Sequence, residues 1–121
     1  MADTTTCSFC VSIECEEYFD RDEHTALFVP RTSSAVPGHL LVVPLMHVER
    51  FDTDPHWTGV TMQHAARWAR DLGSYNVIVN VGEDAGMTAH HLHVHLLPRV
   101  AGDQVPMPWP DRRRAAGLDP K

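Results

Sequence analysis

The sequence has few cysteines and no long apolar run. Its three cysteines, Cys7, Cys10 and Cys15, form an odd number within one short segment, which favours reduced thiols or a metal site over a disulfide framework. No apolar run reaches membrane length, and the N-terminal segment MADTTTCSFC lacks the basic start and apolar stretch of a signal peptide. The sequence therefore predicts a cytoplasmic protein with no membrane partner.

Basic residues are also scarce relative to acidic ones. The 10 Lys and Arg residues are outnumbered by 16 Asp and Glu residues, and the formal net charge is −6. A protein that coats a nucleic acid polymer needs a basic surface to neutralise phosphates, so this composition argues against that class of partner. A small anionic ligand is compatible with the charge, because a single site can be locally positive.

Hydrophobic patterning predicts an α+β fold with a five-stranded, mainly antiparallel sheet and one main helix. The helix has Asp54 as its N-cap, Pro55 at its first position and Gly73 as its stop. Strands are expected at residues 17–21, 25–29, 39–44 and 76–80, and at the histidine row that begins at residue 91. Residues 1–100 are predicted to form a single domain, and residues 101–121 a Pro-rich C-terminal tail associated with it.

The stretch MTAHHLHVHLLPR, residues 87 to 99, places histidines at alternate positions. In a strand, His91, His93 and His95 would share one face, with neighbouring imidazoles about 7 Å apart. Histidine is either a metal ligand or a group whose proton and lone pair are usable near neutral pH. The row is therefore compatible with a zinc site, as in a metallohydrolase, or with a nucleophile. His64 and His90 lie outside the row and are interpreted as packed core residues.

The N-terminal pair CSFC has the spacing of half a zinc site. Cys7 and Cys10 are separated by two residues, which suits either a zinc knuckle or a redox motif. No strand is predicted before residue 7, although a redox motif usually follows one. Two further ligands would be needed to complete a closed tetrahedral site.

Two separated motifs carry a resemblance to a known family. The segments PGHLLVVPLMHV and NVGEDAGMTAHHLHVHLLPR are similar to those of the histidine triad superfamily, whose signature is His-φ-His-φ-His-φ-φ with φ apolar. The resemblance covers Cys7 to Arg99, and HLHVHLL fits the signature at every position. The CSFC pair resembles the branch that carries an N-terminal CxxC motif.

This resemblance implies a nucleotidyl hydrolase or transferase. His93 would attack the α-phosphate of a nucleotide conjugate, of the phosphoramidate or dinucleoside polyphosphate type, and form a nucleotidyl-histidine intermediate. His95 would act on the phosphate, and His39 of the PGH motif would support His93. The phosphate-binding positions of the family correspond here to Asn80, Gly86 and Thr88. The alternatives are a nucleotide-binding protein with little turnover and a metallohydrolase that uses the histidine row as ligands.

The resemblance also implies a zinc ion and a second copy of the chain. In members with a CxxC motif, two histidines complete a structural zinc site, and the corresponding set here is Cys7, Cys10, His47 and His91. Relatives often pair their sheets, so a homodimer is expected.

Two positions depart from the family pattern. Arg31 stands where the family usually has an acidic residue that holds the ribose hydroxyls, and a guanidinium can only donate hydrogen bonds. An arginine that reaches the pocket would favour an additional phosphate or carboxylate on the substrate. Met87 stands where a glutamine usually lies, between Gly86 and Thr88, and a thioether is a poor hydrogen-bonding substitute.

Overall fold

The computed structural model describes residues 6–31 and 35–107. These residues form a five-stranded sheet with strand order β1-β2-β3-β5-β4, in which every neighbouring pair is antiparallel. The α+β class and the five-stranded antiparallel sheet predicted from the sequence are therefore confirmed. The elements, in chain order, are α1 (Ser8–Glu14), β1 (Asp20–Arg21), β2 (Thr25–Phe28), β3 (Leu40–Pro44), α2 (Pro55–Trp68), β4 (Tyr75–Ile78), a 3₁₀ turn (Glu83–Ala85) and β5 (Val94–Pro98).

The two helices cover opposite faces of the sheet. Side chains alternate along a strand, so the residues of β2 contribute to two hydrophobic clusters. The first cluster contains Leu27, and the second contains its neighbours Ala26 and Phe28. The first cluster packs against Ala65 and Ala69 of the α2 segment. The second cluster packs against α1 and the chain that follows it, through Phe9, Ile13 and Tyr18. Both faces of the central strands are therefore buried, and the α1 face is the one that carries the histidines.

Helix α1 was not expected from the sequence. Its N-cap is Cys7, whose Sγ accepts a hydrogen bond from the backbone N–H of Cys10 at 3.3 Å. Cysteine is not among the preferred N-cap residues, and a helix of seven residues gives only a weak periodic signal. The thiol nevertheless caps the helix in the way a serine or aspartate does, so Cys7 immediately precedes the helix and Cys10 lies in its first turn.

Helix α2 begins where the sequence predicts and ends earlier. Asp54 is the N-cap and accepts from the N–H of Trp57 at 3.2 Å, and Pro55 is the first helical residue. The helix ends at Trp68, and a turn continues with Leu72 N–H donating to the Ala69 carbonyl. Gly73 then takes a left-handed φ of 74°, which ends that turn rather than the helix.

Strand β5 starts at Val94, so His91 and His93 precede the regular strand and only His95 lies within it. The predicted strand at the full histidine row is therefore wrong at its start. Two main-chain carbonyls next to the start of β5 accept from imidazoles. His91 Nε2 donates to the carbonyl of Pro44, and His93 Nδ1 donates to the carbonyl of His91. Pro44 also has no N–H to offer a neighbouring strand.

The beginning of the predicted tail lies along the edge of the sheet. Arg99 donates to Asp103 Oδ2 at 2.7 Å, to the Val105 carbonyl at 2.7 Å and to Asn76 Oδ1 of β4 at 2.6 Å. Residues 108–121 of that tail lie outside the described residues. Among the residues that the structure describes, no helix is long and apolar enough to span a membrane.

Candidate functional site

The three histidines of the row gather beneath helix α1. The ring centroids of His93 and His95 lie 5.1 Å apart. The ring of Phe9 lies 5.4 Å from that of His93 and 5.7 Å from that of His91. Phe9 was not identified from the sequence, because the helix that positions it was not expected. Phe9 packs against His91 and His93, and both of these imidazoles are buried.

His93 is held with one ring nitrogen free. Its Nδ1 donates to the carbonyl oxygen of His91 at 2.8 Å. A carbonyl can only accept, so the proton is on Nδ1 and the lone pair of the neutral ring is on Nε2. The backbone of the row thus sets the tautomer that a nucleophilic histidine requires.

His39 and His95 form a second pair in which the backbone also sets the tautomers. The N–H of Ala35 donates to His39 Nδ1 at 3.1 Å, so the proton of a neutral His39 is on Nε2. His39 Nε2 lies 2.9 Å from His95 Nδ1 and donates to it. His95 therefore keeps its own proton on Nε2, a buried atom with no hydrogen-bond partner in the described residues. An unpaired buried N–H is costly unless a ligand accepts from it.

Burial keeps this second pair uncharged. Burial, together with the neighbouring His93 and His39, lowers the pKa of His95 to about 4. Burial also lowers the pKa of His39 below its usual value. Both rings are therefore neutral near pH 7, where the tautomers described above apply.

The loop before the row brings together two of the predicted phosphate-binding residues. Gly86 takes a left-handed φ of 91°, and a Cβ there would lie 3.7 Å from Asn80 Nδ2. A side chain at position 86 would be strained by this backbone conformation, and the 3.7 Å distance shows that Gly86 and the Asn80 amide are neighbours. Thr88 is exposed and lines a cavity of about 380 Å³ that also includes Phe9, Cys7 and His47.

Met87 is packed within this loop. It is buried, and its Sδ accepts from the backbone N–H of Gly82 at 3.5 Å while its own N–H donates to the Gly82 carbonyl. The side chain thus joins the two ends of the loop and does not extend into solvent.

Arg31 lies on the wall of a second, smaller cavity. This cavity of about 140 Å³ is shared with Phe9, Phe28 and Ser12. The guanidinium donates to Ser12 Oγ at 3.3 Å and is otherwise exposed. Phe9 lines this cavity and also packs against His93, so the Phe9 ring lies between Arg31 and the histidine row.

The four predicted zinc ligands form one cluster. Cys7, Cys10, His47 and His91 each offer a ligand atom, and these atoms all lie within 4.8 Å of one another. Cys7 Sγ is 3.2 Å from His91 Nδ1, and Cys10 Sγ is 3.1 Å from His47 Nδ1. The two Nδ1 atoms are 3.2 Å apart. A tetrahedral zinc ion with two sulfur and two nitrogen ligands has edges of about 3.3 to 3.8 Å, so the donor set fits that ion.

The chemistry of the cluster also suits a cation. His91 Nε2 donates to the Pro44 carbonyl at 3.0 Å, which leaves the lone pair on Nδ1, the atom that faces the cysteines. Burial, together with the neighbouring Cys7, raises the pKa of Cys10 to about 12. A bound metal ion favours the loss of both thiol protons, because it compensates the charge of two adjacent thiolates. Cys15 is exposed and lies outside this cluster.

The two histidines that were assigned to the core behave differently. His64 is buried, as expected, but His90 is exposed. His90 precedes the row in a bend and lines the cavity that includes Thr88, so a core role for it is wrong.

Comparisons with known proteins agree with this architecture. A family model described as the HIT domain matches residues 15–102. An uncharacterized HIT-like protein of Methanocaldococcus jannaschii is 35% identical over 109 residues, which cover 80% of this chain and 81% of that protein.

Solved structures agree as well. A Zn-bound histidine triad family protein from Mycobacterium smegmatis has 28% identity and a TM-score of 0.70, and the match covers 96% of this chain and 91% of that one. A HIT family hydrolase from Clostridium thermocellum has 29% identity and a TM-score of 0.68, with 86% and 97% covered. The domain match over most of the chain, together with the histidine row and its supporting loop, shows that this protein belongs to the HIT domain family.

Proposed function

We propose that this protein cleaves nucleotide conjugates at the α-phosphate through a nucleotidyl-histidine intermediate on His93. One observation carries the proposal: His93 Nδ1 is bound to the His91 carbonyl, which directs the lone pair of Nε2 away from the backbone, beside the unpaired N–H of His95. A lone pair and a buried donor, on rings 5.1 Å apart, suit attack on a phosphorus atom whose oxygens gain charge.

The reaction proceeds in two displacements. His93 Nε2 forms a bond to the α-phosphorus, and the bond to the leaving group breaks with its electron pair. Water then attacks the same phosphorus, the N–P bond breaks, and the proton of water balances the charge of the leaving group. The products are a nucleoside monophosphate and the protonated leaving group, and His93 returns to its starting tautomer.

His95 is proposed to donate its Nε2–H to a nonbridging oxygen of the phosphate. His95→Ala should therefore lower kcat about a hundredfold, as expected when one preorganised donor is removed. Steady-state kinetics on a cleaved conjugate measures this loss. His95→Gln should recover part of the rate, because its amide can donate from about the position of Nε2. Unchanged turnover in His95→Ala would mean that this ring faces away from the reacting phosphate.

The substrate is proposed to be a nucleoside phosphoramidate or a dinucleoside polyphosphate, with the nucleoside bound beside Phe9. Arg31 suits a ligand that carries an anionic group, because its guanidinium donates and cannot accept. Asn80, Gly86 and Thr88 are proposed to bind the phosphate from the loop that precedes the row.

The test is to incubate the protein with adenylyl and guanylyl conjugates, including members with an additional phosphate, and to measure its intact mass. A mass increase of one nucleotidyl group in the native protein, absent in His93→Ala, supports the proposed intermediate. Binding without adduct or product in every member would instead support a nucleotide-binding protein with little turnover.

The alternative of a metallohydrolase that uses the row as ligands is disfavoured by the geometry. Nδ1 of His91 faces the cysteines, whereas Nδ1 of His93 binds a backbone carbonyl and Nδ1 of His95 faces His39. Within the described residues, the three histidines of the row do not form a common cluster of ligand atoms. Rapid turnover that a chelator abolishes, without an adduct, would favour the alternative.

We further propose that the cluster of Cys7, Cys10, His47 and His91 binds a structural zinc ion. The donor distances, the Pro44 contact to His91 and the Zn-bound relative from Mycobacterium smegmatis support this assignment. The four residues would hold the ion as a closed site, and zinc would supply structural cross-linking there. In this arrangement α1 and the start of the row are joined, which keeps Phe9 over His93.

Met87 is proposed to slow the release of the nucleotidyl group. A glutamine at this position can donate to phosphate and accept from an incoming water, whereas a thioether does neither well. Met87→Gln should therefore raise hydrolysis about tenfold, the equivalent of about 1.4 kcal/mol. The wild-type adduct should accumulate and that of the variant should not, as followed by intact mass over time.

The control for this substitution is Met46→Gln. Met46 is exposed on the surface, so its replacement adds the same amide without touching the loop. An unchanged rate in Met87→Gln at saturating substrate would show that position 87 does not reach the phosphate.

The protein is also proposed to be a cytoplasmic homodimer. Strand β4 lies at the edge of the sheet, and its Tyr75, Val77 and Ile78 are exposed apolar residues. An unpaired edge with apolar side chains favours pairing with another chain. Edge-to-edge pairing of β4 in two copies would join their sheets and bury these side chains.

A further inference from the structure

A second cluster of metal-binding side chains lies between helix α2 and the turn that joins β1 to β2. Glu23 and His24 come from the turn and His64 comes from α2, and one ligand atom from each lies within 4.8 Å of the other two. The turn has a defined conformation, because Asp22 Oδ1 accepts from the backbone N–H groups of His24 at 3.0 Å and of Thr25 at 2.8 Å. None of these residues belongs to the cysteine cluster.

His64 has the environment of a metal-binding histidine. It is only 2% exposed, and its Nδ1 donates to Asp22 Oδ2 at 2.7 Å. A carboxylate on one ring nitrogen orients the ring and leaves the lone pair on the other, as is usual for histidines that bind metals. Among the described residues, the side-chain hydrogen bond of His64 runs from Nδ1 to Asp22, so its other nitrogen, Nε2, remains available to a metal ion.

Asp22 is suited to this orienting role because it is strongly acidic. Burial would raise its pKa, but the hydrogen bonds from His64, the His24 and Thr25 backbone and the Thr25 hydroxyl outweigh burial and lower it to about 2. The side chain is therefore an acceptor throughout the physiological pH range, which fixes the donor role of His64 Nδ1.

The two imidazoles of this cluster are arranged like those of the cysteine cluster. The ring centroids of His24 and His64 are 5.1 Å apart, with an angle of 86° between the ring planes. The corresponding values for His47 and His91 are 4.9 Å and 90°. A pair of rings that share one ion in a tetrahedral site has a similar separation, so the second pair has room for an ion between its nitrogens.

We propose that His24, His64 and Glu23 form a second metal site, which binds a divalent transition metal such as Zn²⁺ or Ni²⁺ with water completing the coordination. Two imidazoles and one carboxylate select these ions over Mg²⁺ and Ca²⁺, which prefer oxygen ligands. Asp22 is the positioning residue, since it orients His64 and does not reach the ion through that oxygen. The ion would link the β1–β2 turn to helix α2.

Arg67 competes with the metal for Glu23. Its guanidinium lies 3.5 Å from Glu23 Oε1, and both side chains are more than half exposed. An exposed ion pair of this kind is weak, so a divalent ion can displace it at little cost. Removal of Arg67 should therefore strengthen metal binding. This effect is not expected if the metal binds nonspecifically to a single surface histidine.

The test is to dialyse the protein against Zn²⁺ and to count bound metal. The native chain should bind one equivalent more than His24→Ala. This difference is independent of the cysteine cluster, whose occupancy changes both counts equally. Arg67→Ala should bind the additional equivalent about threefold more tightly, and Glu23→Gln about tenfold more weakly. His24 and Glu23 are exposed, so these variants should fold normally.

A fluorescence titration gives a second measurement with a matched control. The His24 ring lies 5.9 Å from Trp57, so Ni²⁺ bound at the site should quench this indole in a saturable manner. His56 is also exposed and lies 5.6 Å from Trp57, but it is outside the cluster. His56→Ala should retain the quenching and His24→Ala should lose it. Equal metal counts in the native protein and His24→Ala, or the same loss in His56→Ala, would overturn the proposal.

Discussion

Replacement of His93 by alanine is expected to reduce turnover by about a thousandfold or more, while nucleotide affinity changes by less than about tenfold. The substitution removes the nucleophile and leaves the proposed phosphate donors in place. The lone pair of His91 faces the cysteines, and that of His95 accepts from His39. Among the three histidines of the row, only His93 has a lone pair, on Nε2, that is available for attack. The other imidazoles are therefore poorly placed to take over the attack.

The measurement combines single-turnover kinetics with equilibrium binding of a nonhydrolysable nucleotide conjugate. His56→Ala is a suitable control, because it removes an exposed imidazole from another part of the chain. The melting temperature and zinc content of His93→Ala should match those of the native protein, which excludes misfolding as the cause. Substantial turnover in a correctly folded His93→Ala would rule out the covalent mechanism.

Replacement of Cys10 by serine is expected to remove the tightly bound zinc and to lower the melting temperature by about 10 °C or more. Serine keeps the size of the side chain but supplies no thiolate. The cluster joins α1, the segment after β3 and the start of the histidine row, so its loss frees three parts of the fold at once. We also expect slower turnover, because Phe9 and His91 would no longer be held beside His93.

Cys15→Ser is the matched control for this substitution. Cys15 is a free, exposed cysteine at the end of α1, so the same chemical change there should alter neither zinc content nor melting temperature. Elemental analysis and thermal unfolding measure the two effects together. If Cys10→Ser has the zinc content and the stability of the native protein, the cluster does not bind a structural zinc ion.

The sequence predicts the start of the main helix and the end of β3 correctly, because local chemistry acts alone there. The first strand is shorter than predicted, since β1 covers only Asp20–Arg21 of residues 17–21. Helix α2 begins at Pro55 because Asp54 caps it and proline fixes the first φ angle, and both signals are contained in neighbouring residues. Strand β3 ends at Pro44 for a similar reason. Helix α2 ends at Trp68, before the predicted stop at Gly73, and the next residue, Ala69, is buried in the core, a tertiary contact that local sequence signals do not contain.

The sequence predicts which residues belong to the site, but not the hydrogen bonds that set their chemistry. The motifs name the histidines and cysteines, but the partners that define their tautomers are backbone groups, the N–H of Ala35 and the carbonyls of Pro44 and His91. No residue type signals such a partner, because every residue carries the same amide. Phe9 was missed for a related reason, since a short helix capped by a thiol has no recognised start signal.

By itself the sequence determined the fold class, the order of the five strands and of the main helix, and the residue types available for chemistry, because these depend on local periodicity and turn residues. Only the tertiary structure decided which nitrogen of each histidine is free, because that depends on contacts between residues far apart in the chain. It also decided that His64 is oriented by Asp22, 42 positions away, and lies beside His24. Long-range packing thus turned a set of histidines into separate groups with different proposed roles.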